Sequence, residues 1–453
     1  MERQSSSNEE ALRSANFGRL ASKLCIPAIL VMLVTVIYHM ADVFFISKTG
    51  DPNQVAAVSL ASPMFSILSG LGVLLGSGGC TAVSLALGRG EHDKIKRISA
   101  FCMYGSLAIG VIFAVLVLPF LPTICGWLGA DAETAGFTGD YLRIIAIGAP
   151  IIMFTNVVPS LIRADGSTVN SMIGNMIGTV GNIILDPILI LVMKWNVTGA
   201  AIATIAGNTL AMVYYVFFIR TKGKVYEASP RMFGFRREII GPVLSLGLPM
   251  SISTILQSIS GAIANNLMMQ YGAVAVTAQS VASRVGMLIT MTVMGICIGM
   301  QPAISFNYSA KNRSRLIELI WKTTALAIAV GTILTVFSLL FREQILAAFI
   351  NEEEVLSIGR ICLLATVIIG HVYGFYQMST TYLQSTGKAK SAIIVSLLEK
   401  GFVYVPILFI AKALFGMNGV IFSGTVTTVI SMIVSLYFCY RTFRKELAHE
   451  ANP

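Results

Sequence analysis

Twelve apolar segments, each long enough to cross a bilayer, follow one another between residues 20 and 440. A helix needs about 20 mostly apolar residues to span a hydrocarbon core, and in lipid its backbone must satisfy its own hydrogen bonds. The chain therefore reads as an all-α polytopic membrane protein. With 55% hydrophobic and 12% charged residues and a mean hydropathy of +0.78, a soluble protein is excluded.

The net charge of +10 does not form a nucleic-acid patch, because the basic residues lie between the apolar runs. Lys and Arg concentrate in alternate connections, such as Arg89 to Arg97 and Arg220 to Arg237, while the others keep Lys48, Lys194, Arg342 and Lys412. By the positive-inside tendency both termini are expected in the cytoplasm. The polar residues 1–19 show no cleavage site, so the run from Leu20 reads as a retained first span. The seven cysteines are scattered, with no disulfide framework and no Cys/His metal pattern.

The chain repeats itself at an offset of about 220 residues. Leu24-Cys-Ile-Pro27 returns as Leu246-Gly-Leu-Pro249, Gly72 and Gly76 as Gly295 and Gly299, and Asp186-Pro187-Ile-Leu as Val405-Pro406-Ile-Leu. Residues 20–219 and 240–440 are thus expected to form two pseudo-symmetric six-helix lobes of like orientation. A basic cytoplasmic linker, 220–239, would join them, with tails at 1–19 and 441–453. Parallel repeats of this kind suit a transporter whose substrate site lies between its halves. Asp186 becomes Val405 in the second half, so the ion chemistry is expected in the first.

Asp186 sits inside the apolar run from Met172 to Met193. A mid-span carboxylate usually faces protein or a water-filled cavity. Asn182 lies four residues earlier, on the same helical face, and Pro187 leaves the carbonyl of residue 183 without a helical donor. Tyr38 and Asp42 share a face of span 1, with His39 beside them. At ~1.5 Å per residue Asp42 lies about 28 Å along its span, Asp186 about 24 Å along its own, and Thr204 about 10 Å in from the other side. Asp42, Asn182, Asp186 and Thr204 are therefore expected to converge at one level. A snorkelling Asp42 and a purely structural Asp186 are the plainer readings.

In the second half Arg284 and Glu399 both reach the midplane, and a structural salt bridge between them is expected. The alternative is that Glu399 binds cationic substrate. Met287 and Met291 share a face of span 8 with Met294, which suits either ordinary packing or a surface that repacks around unlike ligands. No GxxxxGK[ST] loop is present, so ATP is not expected as the energy source, and no cofactor is expected.

Asn182-Ile-Ile-Leu-Asp-Pro-Ile-Leu-Ile190, Gly199-Ala-Ala-Ile-Ala-Thr204, Ile162-Arg-Ala-Asp-Gly166 and the two repeat prolines resemble the multidrug and toxic compound extrusion (MATE) family, most closely its MepA-like bacterial branch. The resemblance covers about residues 18–440. It implies twelve transmembrane helices in two lobes around a central cavity, and export of amphipathic, often cationic drugs and dyes in exchange for protons or sodium. The family's N-lobe cation ligands would fall on Asp42, Asn182, Asp186 and Thr204, with Tyr38 beside them, a set that would also hold Na⁺. The C-lobe sodium carboxylates of some relatives are absent: Gln257 stands at one position, and His371, Tyr373 and Gln377 near the other.

The expected protein is therefore a secondary active multidrug efflux antiporter of the bacterial plasma membrane. It would work as a monomer among membrane lipids and not as an enzyme. Protons or Na⁺ would be held at Asp42, Asp186, Asn182, Thr204 and Tyr38, and Gln257, Met287, Met291 and Glu399 would line a substrate cavity. A lipid-linked oligosaccharide flippase is the alternative, although Arg284 alone offers a cation to a pyrophosphate in the core. An intramembrane enzyme with Asp42 and Asp186 as acid and base is the third reading, against which stand the repeat and the lack of HExxH.

Overall fold

The structure, a computed structural model, describes residues 9–222, 232–347 and 353–451. Part of the expected linker, 223–231, and the side chain of His39 lie outside the described residues. The described residues form helices joined by short turns, as a chain denied water must.

The order is α1 (Phe17–Ser47), α2 (Pro52–Gly88), α3 (His92–Val117), α4 (Leu121–Trp127), α5 (Ala135–Ala164), α6 (Thr168–Asp186), a π-helical turn (Pro187–Val192) and α7 (Asn196–Lys222). Then follow α8 (Arg237–Met269), α9 (Ala273–Ser309), α10 (Arg313–Leu340), α11 (Arg342–Ala347), α12 (Glu353–Val367), α13 (Gly370–Ser385), α14 (Ala389–Leu397), a second π-helical turn (Leu398–Phe402) and α15 (Tyr404–Ala451).

Eleven helices among the described residues are long and apolar enough to cross a membrane, and the last of them, Ala389–Thr442, holds two of the expected twelve spans. At ~1.5 Å per residue its 54 residues would reach about 80 Å, far more than a bilayer needs. Gly416 divides it: a φ of 59° is open to glycine at little cost and ends the helical path.

The chain divides into two compact units, one of residues 1–15 and 30–251, the other of 16–29 and 252–453. The divisions in α1 and α8 fall just after the repeat prolines, Pro27 and Pro249. In the first unit α5 packs on α2, α3 and α7, and α6 packs along α7. Its core includes Leu68, Leu142, Ile145, Ile152 and Met153. In the second unit α9 packs on α10, α12 and α13, and α13 on α15. Cys362, Leu363, Val367 and Leu408 lie in its core.

Small residues set the closest crossings, since lipid supplies no hydrophobic drive between helices and close backbone contact is the main gain. The early part of α8 crosses α2 so tightly that a Cβ on Gly78 would strike the Val243 carbonyl, and one on Gly247 the Leu74 carbonyl. No flexible side chain can move aside there. Gly78→Val and Gly247→Val should each lower the thermal midpoint of the purified protein, at a cost of at least the ~1–3 kcal/mol typical of overpacking. Gly261→Ala, with nothing within 4 Å of the added carbon, should leave it unchanged.

Candidate functional site

The close pairing of α6 and α7 builds the site in the first unit. Gly178 and Gly207 face each other there, and a Cβ on Gly207 would lie 2.9 Å from that of Asn182. Without side chains at the crossing, the polar face of α6 is pressed against α7. Thr168, Ser171, Asn182 and Asp186 are buried along that face.

Asp186 ends α6, and the π-helical turn begins at Pro187. A proline cannot donate to the turn before it, and a π turn often marks a place where a side chain is re-aimed. Asp186 is wholly buried, and Asn182 and Thr204 nearly so, at 3% and 2% exposed. Asp42, carried by α1, is 8% exposed. The snorkelling position that a span-end aspartate would take is therefore not the one adopted.

The expected residues come together. Asn182 Nδ2 donates to Asp186 Oδ1 over 3.4 Å, and the hydroxyls of Tyr38 and Thr204 lie 3.4 Å apart. Asp42 is close enough to Asp186 for their charges to interact. Three buried oxygens, Asp42 Oδ1, Asn182 Oδ1 and Asp186 Oδ2, have no hydrogen-bond partner among the described residues. Two carboxylates so placed cannot both be charged cheaply, and each unpaired oxygen is a waiting acceptor. The arrangement can hold a proton, or a small cation that takes oxygen ligands.

Sequence reasoning missed three further groups. Tyr141 of α5 is buried and interacts electrostatically with Asp42, Tyr38 and Asp186. A tyrosine near the end of a span ordinarily reads as an interfacial anchor, so no signal set it apart. Asn208 donates to the Thr204 carbonyl over 2.8 Å, and Thr155 Oγ1 donates to Asn208 Oδ1 over 2.6 Å, which extends the polar cluster along α7 to α5. The four-residue spacing from Thr204 to Asn208, which repeats that from Asn182 to Asp186, was a readable signal.

The second unit departs from the sequence-based expectation. Arg284 is exposed, and Glu399 forms its ion pair with the adjacent Lys400, Oε1 to Nζ 2.9 Å. The expected Arg284 bridge is thereby corrected: equal depth brought two charges to one level without bringing them face to face. Gln257 and Glu399 do meet, in a cavity of about 180 Å³. Met287 and Met291 do not line that cavity.

The MatE family model matches the chain twice, over residues 27–188 and 249–410, so that the two matches begin at the two repeat prolines. The multidrug export protein MepA of Staphylococcus aureus (strain NCTC 8325) is 31% identical over 419 residues, 92% of each chain. The corresponding protein of Staphylococcus saprophyticus is 29% identical over 415 residues, again 92% of each. Among solved structures, an outward-facing multidrug resistance MATE family transporter of the MOP superfamily superposes with a TM-score of 0.90 at 23% identity, over 96% of this chain and 98% of its own. A MATE in complex with MaL6 superposes with a TM-score of 0.91 at 24% identity, over 97% and 98%. At those identities the structures establish the fold: all-α, polytopic and MATE-like.

The partnerless oxygens give the site a stability signature. A buried carboxylate that braced the fold through an ion pair would cost about 3–5 kcal/mol to disrupt. Asp186 has no such pair among the described residues, so Asp186→Asn should keep the thermal midpoint of the purified protein at neutral pH or raise it. A large drop would give Asp186 a structural role.

Proposed function

The chain belongs to the MatE family, and on that premise we propose that it is a secondary active multidrug efflux antiporter. It exports amphipathic, often cationic compounds from the bacterial cytoplasm across the plasma membrane, in exchange for protons bound at Asp42 and Asp186. It acts as a monomer with both termini inside, and as a carrier, not an enzyme. The supporting observation is the set of three buried, partnerless oxygens on Asp42, Asn182 and Asp186.

A proton delivered to that set neutralises one of two neighbouring carboxylates and supplies a donor to an oxygen that has none. The cluster is then stable in a dry, closed arrangement. With both carboxylates charged it favours water or a cationic cargo, since an uncompensated charge in a low-dielectric site is expensive. The bound state thus differs from the empty one in how tightly α1, α6 and α7 can close around the site. Asn182 and Thr204 position the pair, one through its bond to Asp186 and the other through Tyr38. Pro187 and the π-helical turn give α6 a place to adjust without breaking a regular ladder.

Sodium is the competing coupling ion, because Asp42, Asn182, Asp186 and Thr204 form a reasonable oxygen donor set for it. The multidrug export relatives support a drug as cargo over a lipid-linked oligosaccharide.

Ethidium export from proteoliposomes separates these ions. A pH gradient alone should drive export by the wild type, and Asp186→Asn or Asp42→Asn should each reduce it by tenfold or more, about 1.4 kcal/mol of lost coupling. The double variant should be little worse than either single one, because the two carboxylates hold one proton between them. Export driven only by a sodium gradient would replace the proton. Full pH-driven export by both single variants would end the proposed mechanism.

A further inference from the structure

The second unit contains a buried carboxylate that the coupling cluster does not use. Glu399 is only 4% exposed and lies in the π-helical turn Leu398–Phe402. Widening a helix by one residue frees a backbone carbonyl and rotates successive side chains. The carbonyl of Lys400 accepts from Ser260 Oγ over 2.5 Å, and the side chains of Glu399 and Lys400, neighbours in sequence, line the same cavity.

The cavity is about 180 Å³, and the polar side chains of Gln257, Ser260, Tyr404, Thr427 and Thr428 are among its lining with Glu399 and Lys400. At ~30 Å³ per water it would hold about six waters, or an ammonium with a short alkyl stem. Glu399 Oε1 takes Lys400, while Oε2 is buried with no hydrogen-bond partner among the described residues. The phenol of Tyr376 lies within hydrogen-bonding range of the Glu399 carboxylate, and that of Tyr373 is near enough to feel its charge. A buried ion pair that served only the fold would be expected to satisfy both carboxylate oxygens. Lys400, moreover, keeps 23% of its side chain exposed and hangs on a flexible stem beside its partner.

We propose that this cavity is a binding site for the primary ammonium group of a cationic ligand, and that Lys400 is its tethered internal occupant. An arriving alkylammonium displaces the Lys400 ammonium from Glu399, uses the open Oε2 together with the surrounding hydroxyl and amide oxygens, and leaves Lys400 to turn outward. Lys400 thereby sets a threshold, since a ligand binds only to the fraction of molecules in which the carboxylate is uncovered. Neutral apolar compounds gain nothing from the exchange. The cationic class of ligand rests on the export reading, whereas the site itself rests on the second unit alone.

Dansylcadaverine, a fluorescent primary alkylammonium, tests this by direct titration of the purified full chain, with neutral N-butyl dansylamide as control. If Lys400 covers the carboxylate nine-tenths of the time, Lys400→Met should bind dansylcadaverine about ten times more tightly than the wild type. Lys400→Arg should stay near the wild type, Glu399→Gln should weaken binding about tenfold, and the neutral control should not respond. Equal affinity of Lys400→Met and wild type, or weaker binding by Lys400→Met, would overturn the proposal. The comparison of Lys400→Met with Lys400→Arg decides the matter even if Glu399→Gln does not fold. Repeating it in an Asp186→Asn background keeps the two readings apart. A persistent Lys400→Met gain supports this site whatever happens to pH-driven export, and its disappearance there refutes the site's independence.

Discussion

Backbone amides and carbonyls cannot be left unpaired in hydrocarbon, where each costs several kcal/mol, and this requirement shapes every part of the chain. It makes each span a helix and joins the described helices by short turns. It also means that any departure from the α-helical ladder needs a local partner. The two π-helical turns are such departures, and each lies beside a buried carboxylate with an open oxygen. In the second of them the Lys400 carbonyl accepts from Ser260 Oγ. Irregular backbone and unpaired side-chain oxygen therefore occur together in both units.

The two units use this device differently. In the first, Asp186 is the last residue before the turn, and its nearest charge is another carboxylate, Asp42. Like charges there favour uptake of a proton or cation. In the second, Glu399 lies within the turn and carries its own counter-ion next to it. Alignment of the repeat puts Val405 opposite Asp186, yet the second unit does have a buried carboxylate, about one and a half turns earlier. The irregularity is displaced with the acid: the alignment puts 187–192 opposite 406–411, which is regular helix, while the second π-helical turn is Leu398–Phe402.

Much of this was legible because the strongest signals are one-dimensional. Span length, the repeat, and the placing of Asn182 and Asp186 on one face follow from periodicity and the rise per residue. The level shared by Asp42, Asp186 and Thr204 follows in the same way, and they do cluster. Depth fixes height but not azimuth, which is why Arg284 and Glu399 looked like partners and are not. A π turn is equally silent in sequence, so nothing announced that Glu399 and Lys400 would share a cavity. Tyr141 was hidden for another reason: the residue type that anchors a span to the interface is also one that can sit beside a buried acid.

On the proposed coupling, the open oxygens on Asp42, Asn182 and Asp186 let a site be both buried and able to switch. Had each oxygen a fixed donor, the cluster would be a brace, and emptying it would cost no more than filling it. With acceptors left over, the closed arrangement is complete only when an external proton or cation supplies what is missing. In the proposed mechanism occupancy biases the packing of α1, α6 and α7, and a ligand shifts such an equilibrium only by its differential affinity for the two states. The same logic applies to Glu399 with the sign reversed. Its internal cation already completes one oxygen, so on the proposed exchange the second unit yields only to a ligand that offers more than Lys400 does. One unit is biased by what it lacks, the other by what it already holds.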